Sequence, residues 1–304
     1  MTLEGVAKTA LGVALVRARE SLRDDRLFDD PFAQRFVDAA PGAFPEQPGS
    51  AEERASLGPL ASLGAAFAHH AVLRTRFFDD YLLEATAAGC RQVVLLAAGL
   101  DTRALRLPWP AGVRVFELDL PELFAFKEAV LAGAVLAGAI SSRADRRVVP
   151  VDLRDDWTGT IEAAGFDREA SSAWLAEGLL IYLTPSDAAT LLTRASGLSA
   201  PGSRLAFEHG GMASPALLAT TRDTPTMGQY ASLWKGGLGA EAPDWLADHG
   251  WKPQIHDGAE LAASYGRPAP SHPMPADTAS AHGTSGRSAP GQSGGSFLTA
   301  LRVN

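Results

Sequence analysis

Residues 93–101, VVLLAAGLD, run from apolar residues into a turn of small ones, and Asp119 follows Gly99 after twenty positions at the end of a second apolar run, VRVFELD. A strand that ends in a small-residue turn lets a ligand approach the backbone, and an acid at the end of the next strand accepts hydrogen bonds from ribose hydroxyls. That chemistry selects an adenosine-like ligand. The dinucleotide fingerprint G-x-G-x-x-G is absent: Gly99 is its only glycine, with Ala97 and Thr102 at the other two places. Those glycines admit a pyrophosphate at a helix N-terminus. A cofactor with adenosine and no phosphates, such as S-adenosyl-L-methionine, therefore fits better than a nicotinamide dinucleotide. A structural strand–helix–strand unit with no ligand fits the same local pattern.

Few other residues could do chemistry. Cys90 is the only cysteine, which excludes a disulfide framework and a multi-thiolate metal site. It lies between Gly89, which ends a helix, and a strand, as a structural thiol would. His69 and His70 are adjacent, about 100° apart on a helix, and cannot chelate one metal together, so no metal is expected. His209 directly follows a predicted strand in FEHGG. An ordinary imidazole pKa of about 6.5 suits a general base, and a polar loop histidine is the alternative.

Hydrophobic periodicity supplies the elements that would position these residues. The chain has 304 residues, 46% hydrophobic and 20% charged, enough for a sizeable core. Its net charge of −8 and the lack of a basic stripe exclude a duplex-binding surface, so no nucleic-acid partner is expected. No run of about 18 apolar residues marks a membrane span. The N-terminal AKTALGVALVRARES has too short an apolar run and no small-residue cleavage site for a secretory signal. A cytoplasmic protein without a membrane partner is expected. Strands are predicted at 92–97, 113–118, 147–152, 173–177, 203–208, 251–256 and 296–303. Helices are predicted at about 62–88, 121–139 and 185–196, the last with Thr184 as N-cap, Pro185 first and Asp187 three residues after the cap. Another helix should start in FDDPFAQRFV (28–37), with Asp30 before Pro31 at the first helical position. The alternation predicts an α/β fold, a doubly wound and mostly parallel seven-stranded sheet. Strands 92–97 and 147–151, nearly all apolar, should be covered on both faces. One domain is expected over 1–304, with an N-terminal helical cap over 1–60. The insertion 209–245, a candidate helical lid, carries Met212, Met227, Tyr230 and Trp234, and 266–295 is a low-complexity loop.

RTRFFDDYL, VVLLAAGLDTRALRLPWP, VFELDLPELFAFK, VDLRDDW and WLAEGLLIYL stand in that order. With the N-terminal RARES and LFDDPFA and the late YGRP, the chain resembles the leucine carboxyl methyltransferase family, especially its bacterial branch of S-adenosyl-L-methionine-dependent O-methyltransferases. The resemblance implies a Rossmann-like class I methyltransferase fold and that cofactor. Position by position, it assigns Arg74 to the methionine carboxylate, which a guanidinium fork suits. Ala97 and Gly99 fall in the turn along the methionine part, and Asp119 at the ribose. Asp152 and Leu153 match the pair that reads adenine, and Glu177 the acid near the cofactor's amino group. Glu117, on the same strand face as Asp119, would assist or would be a buried, paired carboxylate. Arg17 corresponds loosely to an N-terminal base that reaches the cofactor carboxylate, or is a solvated helix charge. Asp101 would cap the following helix and Arg103 would pair with a neighbouring acid. Ala97 departs from the family's glycine, and alanine disfavours positive φ.

Methyl transfer from a sulfonium is an in-line displacement that demands positioning and exclusion of water. A carboxylate acceptor needs no base, whereas a phenol or alcohol does; His209 is the nominee, and Tyr182 would orient the acceptor or simply pack. The bacterial branch implies methylation of a hydroxyl or carboxylate on a small, aromatic or polyketide-type metabolite, with Met227, Tyr230 and Trp234 against it. Carboxyl methylation of a protein C-terminus and cofactor binding without turnover are the alternatives. The missing glycines disfavour an oxidoreductase.

Overall fold

The computed structural model describes residues 6–43, 58–136, 144–210, 233–268 and 295–303. Seven strands, β1 (Gln92–Leu96), β2 (Arg114–Asp119), β3 (Asp145–Pro150), β4 (Ser172–Ala176), β5 (Arg204–His209), β6 (Trp251–Asp257) and β7 (Ser296–Arg302), form one sheet in the order β3-β2-β1-β4-β5-β7-β6. The first five run parallel, and β7 is antiparallel to both neighbours. This is the doubly wound, mostly parallel sheet that the alternation predicts. Each predicted strand lies within about two residues of an observed one, the usual uncertainty of element ends.

The helices are α1 (Val6–Ser21), α2 (Ala33–Asp38), α3 (Gly58–Ala87), α4 (Arg103–Arg106), α5 (Pro121–Leu136), α6 (Thr158–Ala163), α7 (Pro185–Gly197), α8 (Ala242–Asp248) and α9 (Gly258–Ser264). Strand alternation divides the core. Val94 and Leu96 of β1 join Phe116, Trp174 and Phe207 under α6, α7 and α8, while Val93 and Leu95 face Phe77, Phe78 and Leu82 of α3. A third cluster, with Leu11, Ala14, Phe36, Leu100 and Phe126, fastens the two N-terminal helices to α5 and to the turn after β1. At the start of α7, the Thr184 hydroxyl accepts from the Asp187 amide at 3.2 Å and donates to its carboxylate at 2.7 Å. Pro185 occupies the first position, where no amide is needed.

Two expectations are corrected. β3 is the edge strand, and of its six residues only Val149 is buried; an apolar run alone does not distinguish a covered strand from an edge. The helix expected from residue 31 starts at Ala33. Asp30 is drawn inward, where its Oδ1 accepts from the amides of Phe32 and Ala33 at 3.0 and 3.1 Å and its Oδ2 meets Arg17. Most of the expected lid, 211–232, and most of the low-complexity segment, 269–294, lie outside the described residues. Among the described residues no helix is long and apolar enough to cross a membrane.

A buried ion cluster joins β2, β3 and α5. Glu117, fully buried, accepts from Lys127 Nζ at 2.7 Å and from Arg146 Nη2 at 2.7 Å, and Arg146 also reaches Glu128. Burying charge is tolerable only while every charge has its partner. Lys127→Met should therefore cost about 3 kcal/mol in urea unfolding. The double variant with Glu117→Leu should cost less than the single one, because it also removes the buried carboxylate that has lost one of its two cations, while Arg146 keeps Glu128.

Candidate active site

The strand order reverses between β1 and β4, and a cavity of about 1100 Å3 opens at the carboxyl ends of β1, β2 and β4. Doubly wound sheets bind ligands at such a switch point. Its volume exceeds the roughly 300–1,000 Å3 of one small-molecule site, leaving room for two ligands side by side.

The turn after β1 forms its floor. Ala97 and Gly99 both take positive φ, 53° and 50°. At Ala97 an L side chain sits in the left-handed region, a strain of about 1–2 kcal/mol. The Gly99 amide donates to Asp119 Oδ2 at 2.6 Å, and the Leu120 amide to Asp119 Oδ1 at 2.7 Å, so the acid at the end of β2 is locked against the turn. Burial pushes the Asp119 carboxyl above its ordinary pKa, against the pull of both amides.

Behind the turn lies an ionic network centred on Arg103. Its Nε donates to Asp79 at 2.6 Å and its Nη1 to Glu177 at 2.6 Å and to Asp101. Arg106 chelates the same Asp79 through both terminal nitrogens at 2.7 Å. Burial, the largest single influence, would raise Asp101, but Arg103, Lys127, the Arg103 amide and Arg106 together outweigh it and hold the carboxyl at about 2. Glu177 is likewise held below its ordinary value, because Arg103 and Arg74 outweigh burial. Arg74 sits between two acids: Nη1 donates to Glu208 at 2.7 Å, and Nε lies 2.8 Å from Glu177 Oε1. That second contact is an ion pair whose N–H points elsewhere, which leaves Nε–H without a hydrogen-bond acceptor in a buried place.

Arg74, Ala97, Gly99, Asp119, Asp152, Leu153 and Glu177 all line the cavity. Asp152 stands at its mouth, accepting from the Arg154 amide at 2.9 Å and from the Arg154 guanidinium. The lining also includes apolar residues, Val13, Phe67, Leu179, Leu183 and Trp234, and Tyr182. Trp234 is held there because the Lys235 amide donates to Ile181 O at 2.7 Å and the Gly237 amide to Leu183 O at 3.0 Å. Gly237 is required: at φ 58° a Cβ would stand 2.8 Å from Leu180 O. Met212, Met227 and Tyr230 lie outside the described residues.

Two nominations are corrected. Glu117 does not line the cavity; its charge is taken up by Lys127 and Arg146. His209 does not line it either. Alternation along β5 turns Glu208 toward α3 and His209 to the opposite face, and burial lowers the His209 pKa, away from a base poised near neutrality. Arg17 is no solvated charge: it is 7% exposed, lines the cavity, and donates to Asp30 at 2.8 Å and to Leu100 O at 2.7 Å. Glu208 and Glu122 went unnominated. Glu122 lines the cavity from the first turn of α5, where an acid also reads as an ordinary helix-start residue. Among the described residues no cluster of acids, histidines and cysteine could hold a metal.

A leucine carboxyl methyltransferase model matches residues 10–196, which hold the turn, Arg74, Asp119, Asp152 and Glu177. The chain belongs to the leucine carboxyl methyltransferase family. Relatives named, by inference, S-adenosyl-L-methionine-dependent methyltransferases include one from Parafrankia sp. strain EAN1pec, 50% identical over 88% of this chain and 83% of its own. One from Frankia alni is 51% identical over 88% and 90%. Among solved structures, a methyltransferase assigned by inference from Thermobifida fusca covers 89% of this chain and 94% of its own, with a TM-score of 0.54 at 17% identity. A protein from Streptomyces avermitilis covers 97% of both chains with the same TM-score at 16% identity. These two likenesses show the class I, Rossmann-like fold.

This family member should respond to two changes in its turn. Ala97→Gly should raise stability by about 0.5–1 kcal/mol, since the relieved left-handed strain exceeds the entropy added to the unfolded chain; a higher urea midpoint with unchanged slope would show it. Asp101 is depressed in the fold, so its stabilisation is present above its ordinary value of 3.8 and fades as pH falls through about 2. Asp101→Asn should thus cost about 2 kcal/mol near neutrality and progressively less toward pH 2, as read from denaturant titrations across that window.

Proposed function

We propose that the chain is an S-adenosyl-L-methionine-dependent O-methyltransferase for a small, hydroxylated aromatic or polyketide-type acceptor. Enzyme class and cofactor follow from family membership: it is an S-adenosyl-L-methionine-dependent methyltransferase. The residues present fit that cofactor. Arg74 keeps an unspent N–H beside the cavity, Glu177 offers an acid for an ammonium, and Asp119 stands at the strand end where a ribose binds. Asp152 and Leu153 border the adenine side, and Ala97 and Gly99 the methionine side. The bound cofactor supplies an electrophilic methyl group on a sulfonium; the protein's work is to place the acceptor in line with it and keep bulk water out. It must also pass the acceptor's hydroxyl proton to a lining carboxylate or to solvent, since His209 does not line the cavity.

The observation that carries the acceptor class is the composition of the apolar part of the lining. Val13, Phe67, Leu179, Leu183 and Trp234 are apolar and Tyr182 offers a single hydroxyl to orient an acceptor oxygen. Every arginine among the described lining residues already has a carboxylate: Arg17 has Asp30, Arg74 and Arg103 share Glu177, Arg106 has Asp79 and Arg154 has Asp152. A carboxylate acceptor would be desolvated there with no cation left for it, whereas a neutral hydroxyl on an aromatic ring would not.

Binding measured by calorimetry should weaken tenfold or more in Asp119→Asn, the loss of a charged hydrogen bond worth roughly 1.5–3 kcal/mol. Release of S-adenosyl-L-homocysteine should then be followed with hydroxylated aromatics and with peptides ending in a free leucine carboxylate. Turnover of an aromatic that falls with Trp234→Ala is expected. Turnover of the peptides alone would replace this reading with protein carboxyl methylation, and tight binding with no turnover of either would mark a cofactor-binding protein.

A further inference from the structure

Glu208 has no task in the assignment above. It precedes His209 on β5, does not line the cavity, and its side chain is 19% exposed. It lies behind Arg74. Its Oε1 accepts from Arg74 Nη1 at 2.7 Å, and its Oε2 accepts from the Gly178 amide at 2.7 Å. Glu177 approaches the same guanidinium at Nε, 2.8 Å away. Arg74 thus faces two carboxylates before any ligand arrives. The carboxylate of an amino-acid ligand would be a third on one positive charge, in a buried place where like charges repel strongly.

The two protein acids are not equivalent. Glu177 has a second cation, Arg103 Nη1 at 2.6 Å, whereas Glu208 is held by Arg74 and by a neutral amide. Burial pushes the Glu208 carboxyl above its ordinary pKa, Arg74 opposing and the Glu177 charge adding to the rise. Other charged or titratable groups border this cluster. Asp101 and Arg103 come from the turn after β1, where Arg103 also contacts Asp79. His70, on α3, is kept neutral down to about 3 by burial and by Arg74. Of the acids on Arg74, Glu208 is the one that can surrender its charge at least cost.

We propose that Glu208 is the positioning residue for the amino-acid end of the cofactor: it aims the Arg74 fork, and it takes one proton from solvent when the ligand carboxylate joins that fork. The proposal rests on the reading of the cavity as an S-adenosyl-L-methionine site. A protonated Glu208 still accepts from Gly178 through its carbonyl oxygen, so the end of β4 stays in place while the charge of Arg74 passes to the ligand. Binding that takes up a proton weakens as pH rises, by up to about tenfold per pH unit. The ligand's own amino group, ordinarily near 7.7–8.0, adds uptake only in the alkaline part of the range.

The test is calorimetry of S-adenosyl-L-homocysteine binding, which has the same amino-acid end. It would run from about pH 5.5 to 8.5, a range that spans the ligand's amino group, in buffers of different ionisation heat. Glu208→Gln, which fixes the neutral state, serves as the comparison. The wild type should take up more protons than the variant, by an increment approaching one, and the variant's affinity should vary less with pH. Equal proton counts in the two proteins would overturn the proposal while leaving the cofactor reading intact. So would a wild type that takes up no proton in the acidic half of the range, whether or not the variant folds. No binding by the folded wild type would overturn the cofactor reading itself.

Discussion

The guanidinium of Arg103, 2% exposed, is surrounded by the carboxylates of Asp79, Asp101 and Glu177. A charge so deeply buried persists only with opposite charges around it. The three acids come from α3, from the turn after β1 and from the end of β4. Satisfying Arg103 therefore forces three separate elements to one point above the sheet. The positions of the cavity-lining residues on those elements follow from that convergence. Its backbone takes part as well, since the Arg103 carbonyl accepts from Trp109 Nε1 at 2.8 Å and ties the short helix α4 to the core.

The two sides of the cavity are built from different physics. On the strand-end side nearly every polar group is committed in advance: Asp119 to two amides, Glu177 to two arginines, Arg17 to Asp30 and the Leu100 carbonyl. Such a surface changes little when a ligand arrives and loses little entropy in ordering itself. Other lining residues, Phe67, Leu179, Tyr182 and Leu183, are half-buried and offer area with little directional bonding. On the proposed reading, the first would recognise the cofactor by its charges and hydroxyls, and the second an acceptor by its shape.

Much of this was legible in the sequence where a residue's task is local. The turn after β1, the Thr184 cap and the alternation of strands with helices are short-range patterns, and each stands where the periodicity puts it. The errors share one cause: burial and partnership depend on residues far along the chain. Glu117 and Asp119 look alike on one strand face, and only Lys127 and Arg146, ten and twenty-nine positions away, separate them. β3 looks like a covered strand because nothing in VVPV says that no strand lies beyond it. Glu208 and His209 present the opposite lesson. Histidine drew attention by its type, yet the period of two along β5, already visible from Leu205 and Phe207, points its neighbour toward Arg74. Arg17 could not be read at all without Asp30, because an arginine near the end of an amphipathic helix is ordinarily solvated.

Helix α1 divides most of its duties between two sets of residues. Leu11 and Ala14 are buried in the third core cluster, whereas Thr9, Gly12 and Val13 border the cavity. Arg17 fastens the helix to the turn through Asp30 and Leu100. Ala10 and Arg17 do both, but Thr9, Gly12 and Val13 shape the cavity without belonging to the buried cluster that holds the helix in place. Selection can enlarge or narrow this margin with small changes at positions 9, 12 and 13 while the anchoring residues stay constant. On the proposed reading, changes at these three positions would alter the acceptor side without touching the strand-end turns assigned to the cofactor.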